Sequence, residues 1–159
     1  MKIILASLLI SSAAYAGVSN GQKAPEISLA TLKGDRLSLS ALKGKVVLLD
    51  FWAEWCGPCK QELPELEKLK REFAARGVEV VTVNIDKERA NAERLTRELA
   101  LTFAVLLDPN GSAVSAYDPP KMPSSYVIDK RGVVRFVHEG FEGKKDVERF
   151  RKELEELLK

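Results

Sequence analysis

The chain has 159 residues, of which 45% are hydrophobic and 30% charged, a composition that suits one globular domain with its own core. Its 25 basic and 23 acidic side chains leave a formal net charge of +2 and are spread along the sequence. The sequence therefore indicates no basic face for nucleic acid. Since no repeat, low-complexity tract or linker divides the chain, we predict a single domain over residues 17–159.

The first sixteen residues have the pattern of a secretory signal peptide. Lys2 precedes a short apolar run, and a small-x-small ending closes at Ala16, which is typical of a cleavage site. The alternative is an uncleaved membrane anchor, but the run is shorter than the roughly 20 residues that a spanning helix needs. No cysteine follows the run, which excludes a lipoprotein anchor. We expect a soluble mature protein that is periplasmic or otherwise extracytoplasmic.

Apolar spacing predicts strands that alternate with helices. A β-hairpin is expected where apolar residues alternate on both sides of Lys33-Gly34-Asp35. Further strands are predicted at 45–52, 78–85, 103–107, 126–128 and 133–137, and helices at 58–76, 87–100, 112–117 and 144–159. Pro64 is expected to kink the first helix. This order predicts an α/β fold, a three-layer α/β/α sandwich with a central mixed sheet.

The chain has two cysteines, Cys56 and Cys59, which lie where a hydrophobic strand gives way to a charged helix. A thiolate attacks disulfides, and the unpaired N–H groups and dipole of a helix N-terminus stabilise a thiolate. Cys56 is therefore predicted to be the nucleophile. Cys59 lies one turn further into the helix, close enough to form a disulfide with Cys56, and is predicted to be the resolving thiol.

Two other roles are open to this cysteine pair. A structural disulfide is conceivable in an exported protein, but closing so short a ring would stabilise the fold by only about 2 kcal/mol. Zinc is also conceivable, but a closed zinc site needs four ligands, and the chain adds only His138 to the two cysteines. A redox-active pair is the leading hypothesis.

The surroundings of the cysteines resemble a known family. The segment from Val47 to Lys60, with Trp-Cys-Gly-Pro-Cys at its centre, resembles thioredoxin. Four further segments are similar to exported thiol-disulfide oxidoreductases of the TlpA and ResA type: Ala24-Pro25, the stretch 42–45, the extra stretch 87–107 and the segment 122–129. The resemblance covers nearly all of the mature chain. It implies a thioredoxin fold with an N-terminal β-hairpin and an inserted helix-strand element.

The resemblance implies a catalytic role for Asp50, an acid within an apolar strand. This position matches the buried acid that exchanges a proton with the resolving cysteine, and burial would raise its pKa. A core aspartate whose hydrogen bonds are satisfied is the alternative. Thioredoxin also has a buried lysine on the next strand, where this chain has Thr82.

The resemblance also implies a docking edge for an extended substrate. Pro123 matches the cis-proline that faces the cysteine pair, and the backbone of Met122 would pair with the substrate as in strand addition. Trp55 is expected to be an exposed contact for partner proteins, beside Gly57 and Pro58.

Two surface features are predicted elsewhere: His138 at a strand end, and an exposed helix face that consists of Glu62, Glu65, Glu67, Lys68 and Lys70.

The implied activity is that of a protein-disulfide oxidoreductase. Reduction is the expected direction, because Gly57-Pro58 is the dipeptide of thioredoxin, a reductant with a reduction potential of about −270 mV. No cofactor or metal is expected beyond the Cys56–Cys59 disulfide. The expected partners are disulfide-containing proteins and a membrane electron-transfer protein, as in relatives that serve cytochrome c maturation; we expect a monomer. A peroxiredoxin is a weaker alternative, because Ala53 stands where those enzymes have threonine. A non-catalytic module that binds exported proteins is another.

Overall fold

Five strands form the central sheet of the structure, a computed structural model that describes residues 17–159. The predicted signal peptide lies outside the described residues. In chain order the strands are β1 (Ser28–Ala30), β2 (Arg36–Ser38), β3 (Val46–Trp52), β4 (Val78–Asn84), β5 (Ala104–Leu107), β6 (Ser124–Ile128) and β7 (Val134–Glu139), and the helices are α1 (Gly57–Phe73), α2 (Arg89–Glu98), α3 (Ser112–Tyr117) and α4 (Lys144–Leu158). Short 3₁₀ segments occupy Leu39–Leu42 and Ala74–Arg76.

The sheet is mixed, as predicted, with the order β5-β4-β3-β6-β7. Strands β3, β4 and β5 run parallel, β6 runs antiparallel to β3, and β7 runs antiparallel to β6. Strand β3 lies at the centre, and all seven of its residues are buried, which explains its continuous apolar run. The hairpin β1–β2 forms a separate two-stranded sheet.

Two layers cover the sheet and complete the predicted α/β/α sandwich. On one face, Leu63, Leu66 and Leu69 of α1 pack with apolar residues of α2 and α4. On the other face, Tyr117 of α3 and Ile27 beside the hairpin pack with the alternate residues of the same strands. The element α2–β5 is the predicted helix-strand insertion. None of the helices within residues 17–159 has the length and apolar character needed to cross a membrane.

The end of α1 follows from its sequence. The helix continues through Pro64 to Phe73 and then tightens into the 3₁₀ segment. Gly77 ends this segment with a φ of 88°, a left-handed conformation that glycine adopts without the steric cost of a Cβ. The helical segment predicted at 58–76 therefore ends where expected, and the chain passes directly into β4.

The prediction that His138 is a surface residue at a strand end is wrong. Strand β7 continues to Glu139, two residues past the predicted end, so His138 lies within the strand and is only 6% exposed. Its Nε2 lies 2.7 Å from Oε2 of Glu153 on α4, and its ring packs edge-on against Phe150. Helix α4 therefore covers this end of β7.

The prediction of an exposed charged face on α1 is wrong for two of its five residues. Glu62 and Glu67 are buried, with 0% and 4% exposure. Glu67 accepts hydrogen bonds from the backbone N–H and the hydroxyl of Thr102, at 2.8 and 2.6 Å. These hydrogen bonds satisfy the buried carboxylate of Glu67 and attach the segment before β5 to α1. Glu62 belongs to the candidate site.

Candidate active site

Cys56 and Cys59 form a disulfide at the N-terminus of α1, directly after the carboxyl end of β3. Cys56 is the N-cap residue of the helix, and its Sγ accepts a hydrogen bond from the backbone N–H of Cys59 at 3.2 Å. Such a donor, together with the helix dipole, would stabilise a thiolate on Cys56. Cys56 is 4% exposed and Cys59 is 0% exposed, so only Cys56 offers any surface to a partner.

A buried aspartate on the neighbouring strand end anchors the turn that carries the cysteines. Asp86 accepts hydrogen bonds through Oδ2 from the backbone N–H of Glu54, at 2.8 Å, and from the side chain of Asn84, at 2.7 Å. The Glu54 carboxylate bonds to Arg94 and Lys60, and these contacts lower its pKa. These contacts attach the active-site turn to the end of β4 and to α2.

The residues predicted to contact substrate lie around the disulfide at the surface. Trp55 is 66% exposed and is the one large hydrophobic side chain that is exposed among residues 17–159. Gly57 and Pro58, the first two residues of α1, are also exposed. An exposed indole beside a nearly buried disulfide provides a flat apolar contact for another protein.

The predicted cis-proline is present at the same end of the sheet. The Met122–Pro123 peptide bond is cis. Strand β6 starts at Ser124, which pairs with Phe51 near the carboxyl end of β3, so Pro123 lies at the sheet edge where the disulfide is located. Met122 precedes the ladder between β6 and β3 and is half-buried, while Pro123 is buried. The backbone of Met122 is therefore outside the sheet ladder.

Asp50 is fully buried on the face of the sheet that α1 covers. It lies opposite Thr82 on β4 and Ser125 on β6. The Thr82 hydroxyl bonds elsewhere, since it accepts from Nε1 of the buried Trp52 at 3.0 Å and donates to the carbonyl of Ala104 at 3.3 Å. The Ser125 hydroxyl is 2.9 Å from Oδ1 of Asp50, so Ser125 is its side-chain partner.

Glu62 contacts the same Ser125 hydroxyl that is bonded to Asp50. Its Oε1 lies 3.0 Å from Oγ of Ser125, and its side chain is completely buried. Burial raises the pKa of Asp50 well above its usual range, against the effect of the Ser125 hydrogen bond. Burial also raises the pKa of Glu62, and the neighbouring Asp50 carboxyl raises it further. Both groups are thus biased toward their protonated forms.

Sequence reasoning missed Glu62, Ser125 and Asp86. A signal for Glu62 exists in the helical spacing: it lies three residues after Cys59 and four before Leu66, so it shares their face of α1. Ser125 carries no local signal, because its partners lie 75 and 63 residues away. The structure brings Asp50 and the cysteines to one end of β3 and adds a second buried acid to them.

This fold and this site define a class of protein, the thiol-disulfide oxidoreductases with the thioredoxin fold. The AhpC/TSA family matches residues 20–137, and the chain belongs to that family. It is 42% identical over 136 residues to the thioredoxin-like protein YneN of Bacillus subtilis, a match that covers 83% of this chain and 78% of that protein. It is 35% identical over 132 residues to the thiol-disulfide oxidoreductase ResA of Geobacillus kaustophilus, covering 83% of this chain and 76% of ResA.

Structural similarity agrees with this assignment. A crystal structure from Chlorobium tepidum, described as that of a thiol:disulfide interchange protein DsbE, superimposes with a TM-score of 0.85 and 35% identity. The match covers 89% of this chain and 99% of the other. The predicted thioredoxin fold and the relationship to thiol-disulfide oxidoreductases of the ResA type are therefore confirmed.

Proposed function

We propose that this protein reduces disulfide bonds in other proteins outside the cytosol, through a cycle between the Cys56–Cys59 dithiol and disulfide. The observation that carries the proposal is the position of Cys56 at the N-cap of α1, where the N–H of Cys59 points at its sulfur. A thiolate at this position would be stabilised and would be the attacking group. The names of the ResA relatives, which are thiol-disulfide oxidoreductases, support the same chemistry.

The cycle begins when the Cys56 thiolate attacks a disulfide of the bound client. A mixed disulfide forms, and the first client sulfur leaves as a thiolate. Cys59 then loses its proton to the buried acid Asp50 and attacks Sγ of Cys56, which releases the second client thiolate and closes the Cys56–Cys59 disulfide. The two electrons that reduce the client come from the enzyme dithiol, so the cycle needs no further cofactor.

The surface around the cysteines supports a protein as the client. Trp55 is highly exposed beside Cys56, and the backbone of Met122 lies before the first residue of β6, outside the ladder. An extended client segment would form backbone hydrogen bonds with Met122 while Pro123, Gly57 and Pro58 complete the contact. This docking mode selects extended, disulfide-containing segments.

The signal peptide pattern of residues 1–16 supports an extracytoplasmic location, periplasmic where the cell has a periplasm. Soluble reductants are scarce there, so the reducing electrons would come from a membrane electron-transfer partner. Cytochrome c maturation is the process we propose, because the resemblance to the TlpA and ResA type includes proteins that serve it. The Gly57-Pro58 dipeptide supports the reducing direction, as in thioredoxin with its potential near about −270 mV.

Trapping the mixed disulfide tests this proposal. We expect the Cys59→Ser variant, expressed in its native compartment, to accumulate mixed disulfides on Cys56, with an apocytochrome c or a haem-ligation factor among the partners. The matched Cys56→Ser variant should trap none. The wild type should reduce insulin with dithiothreitol, and a measured potential near about −270 mV would support reduction, whereas one near about −120 mV would reverse the direction. No trapped partner and no insulin reduction would overturn the catalytic proposal.

A further inference from the structure

We propose that the α-ammonium group that cleavage after Ala16 creates on Gly17 binds in an acidic cleft, beside the loop that leads to the cis-proline. This contact would hold the backbone of Met122, the proposed docking edge, in place. The inference deepens the proposed function and rests on its extracytoplasmic location, because only an exported chain would lose residues 1–16.

Backbone hydrogen bonds attach the amino-terminal segment to the body of the domain. The N–H of Gly21 donates to the carbonyl of Val134 on the edge strand β7, at 2.7 Å. Closer to the amino terminus, the N–H of Val18 donates to the carbonyl of Tyr117 at the end of α3, at 3.1 Å. These bonds place Gly17 against the loop that follows α3.

The close approach of this loop requires glycine at position 17. A Cβ on Gly17 would lie 2.5 Å from the carbonyl oxygen of Asp118 and 3.3 Å from that of Tyr117. Both atoms belong to the backbone, so no side-chain rotation would relieve the first contact. The Cα of Gly17 is within about 4 Å of the Asp118 oxygen, because a carbon–carbon bond adds about 1.5 Å. The amino nitrogen is one bond from that Cα, so the mature amino group lies close to a backbone acceptor.

The cleft beside Gly17 has two carboxylates without a counter-ion. Its volume is about 600 Å³, and its lining consists of residues 17–20, Asp118, Pro120, Val137 and Glu139. Neither Asp118 nor Glu139 forms an ion pair with another residue of 17–159. An ammonium group in the cleft would therefore gain two opposite charges without displacing an existing ion pair.

A buried phenol at the base of the cleft also lacks a partner. Tyr126 lies opposite Val137 in the pairing of β6 with β7, and both side chains pack on the face of the sheet that α3 covers. The Oη of Tyr126 is buried and has no hydrogen-bond partner among residues 17–159. Burial raises the pKa of Tyr126 to about 12, with contributions from the charges of Asp118 and Glu139. The hydroxyl is thus directed toward the acidic cleft, where an ammonium group would supply a donor for its oxygen.

The other charged groups near the cleft leave these carboxylates available. Lys121 belongs to the same loop, and its Nζ lies beside Gly140, 3.3 Å from the position of a Cβ on that glycine. Lys23 lies on the amino-terminal segment where it pairs with the start of β7. On β7, Arg135 is ion-paired with Asp129, and α3 carries no charged side chain. Within the described chain, none of these cations is paired with a carboxylate of the cleft.

The loop that contacts Gly17 leads directly to the docking edge. Asp118 precedes Met122 by four residues, and the peptide bond after Met122 is cis. Residues 119 and 120 are both prolines, which have no N–H to donate, so the loop has few hydrogen bonds with which to fix its own backbone. A contact at Asp118 would therefore restrict the backbone that presents Met122 to a client.

The pKa of the α-amino group tests the site. The full chain is exported with its own signal peptide and purified, and its mass shows whether Gly17 is the first residue. The rate at which cyanate carbamylates this group, measured as a function of pH, gives its pKa, because only the uncharged amine reacts. The ordinary value is about 7.7–8.0. We expect a pKa about 0.5–1 pH unit higher in the folded protein, because opposite charges favour the ammonium form, and the ordinary value in guanidinium chloride.

Three variants and a control assign this shift to the cleft. Asp118→Asn and Glu139→Gln should each lower the pKa toward its ordinary value, because each removes one opposite charge. Gly17→Ala keeps a small residue at the cleavage site, but its Cβ would displace the amino group from the cleft and abolish the shift. Glu148→Gln, on α4 at the opposite face of the sheet, is the matched control and should leave the pKa unchanged.

Steady-state reduction of insulin tests the link to the docking edge. We expect Gly17→Ala and Asp118→Asn to raise KM for insulin about threefold and to leave kcat unchanged, because they loosen the loop before Met122 but do not alter the cysteines. Glu148→Gln should keep the KM of the wild type.

The outcomes distinguish this inference from the proposed function. An ordinary α-amino pKa in the folded wild type would overturn the ammonium site, and so would an exported protein that keeps residues 1–16. A raised pKa with an unchanged KM in both variants would overturn the link to the docking edge. Failure of the wild type to reduce insulin would refute the proposed function, whereas the α-amino pKa would still decide the site. If Gly17→Ala is not processed or does not fold, Asp118→Asn decides both points.

Discussion

The buried acids should make the oxidised protein less stable as the pH rises above 6, and replacing both acids by amides should remove this effect. The pKa of Asp50 and that of Glu62 are raised in the folded state, mainly by burial. In the unfolded chain, ordinary carboxyl groups have lost their protons by about pH 6. The folded state then binds more protons than the unfolded state, so the free energy of unfolding falls with increasing pH.

The magnitude is worked out for one retained proton, because the single hydrogen of the Ser125 hydroxyl is shared between oxygens of both carboxyl groups. Each retained proton lowers the free energy of unfolding by about 1.4 kcal/mol per pH unit. Between pH 6 and pH 7.5 the loss is about 2 kcal/mol for one proton, a large part of the total stability of an ordinary domain. The decline ends where the pH passes the folded-state pKa values.

Urea unfolding of the oxidised protein across this pH range measures the effect. We expect the wild type to lose stability with rising pH and the Asp50→Asn/Glu62→Gln variant to lack this loss, so that the free energy of unfolding of the variant rises relative to that of the wild type by about 1.4 kcal/mol per pH unit. Glu65→Gln, which alters a half-exposed ion pair on the same helix, should follow the wild type. Parallel pH profiles of the wild type and the double variant would refute the raised pKa values.

Three further substitutions test the turn, the surface and the core. Asp86→Ala should lower the free energy of unfolding by about 1–3 kcal/mol, because the N–H of Glu54 and the buried side chain of Asn84 lose their acceptor. Asp86→Asn, which keeps an acceptor oxygen, should lower it by less, and equal urea midpoints for the two variants would contradict this account. Trp55→Ala should change stability by less than about 0.5 kcal/mol, since the indole is exposed, but lower kcat/KM for insulin reduction about tenfold; an unchanged kcat/KM would exclude Trp55 as a docking contact. Leu154→Ala, at a fully buried position of α4, should cost about 2–5 kcal/mol in urea unfolding, and a loss below about 1 kcal/mol would mean that α4 packs loosely on the sheet.

Most of the fold could be predicted because its signals are local. The apolar run of β3 indicates a strand buried on both faces, and the spacing of Leu63, Leu66 and Leu69 indicates a helix with one apolar face. Gly77 marks the end of that helical segment. These patterns depend on residues that are neighbours in sequence, so the chain itself carries the information.

The errors fall where a polar residue is buried by a distant partner. His138 follows an apolar alternation and resembles a surface residue, but it is buried because Glu153 of α4 provides a hydrogen-bond partner for its ring. Glu67 resembles one more charge on an exposed helix, but Thr102 supplies both a backbone and a side-chain donor from 35 residues away. Burial of a polar group depends on whether donors are present in three dimensions, and a sequence pattern does not contain that information.

The resemblance to thioredoxin leads us to expect a buried lysine beside Asp50, and this chain has none at that position. Thr82 occupies that position, and its hydroxyl is engaged by Trp52 and Ala104. A counter-charge could stabilise an ionised Asp50 without any proton, but within the described chain the side-chain partner of Asp50 is the Ser125 hydroxyl, which a second acid, Glu62, also contacts. The charge of such a site is controlled by protonation rather than by a fixed ion pair. Proton uptake and the redox step at Cys59 are then coupled, so we expect this oxidoreductase to respond to pH more strongly than a relative with a lysine at the position of Thr82.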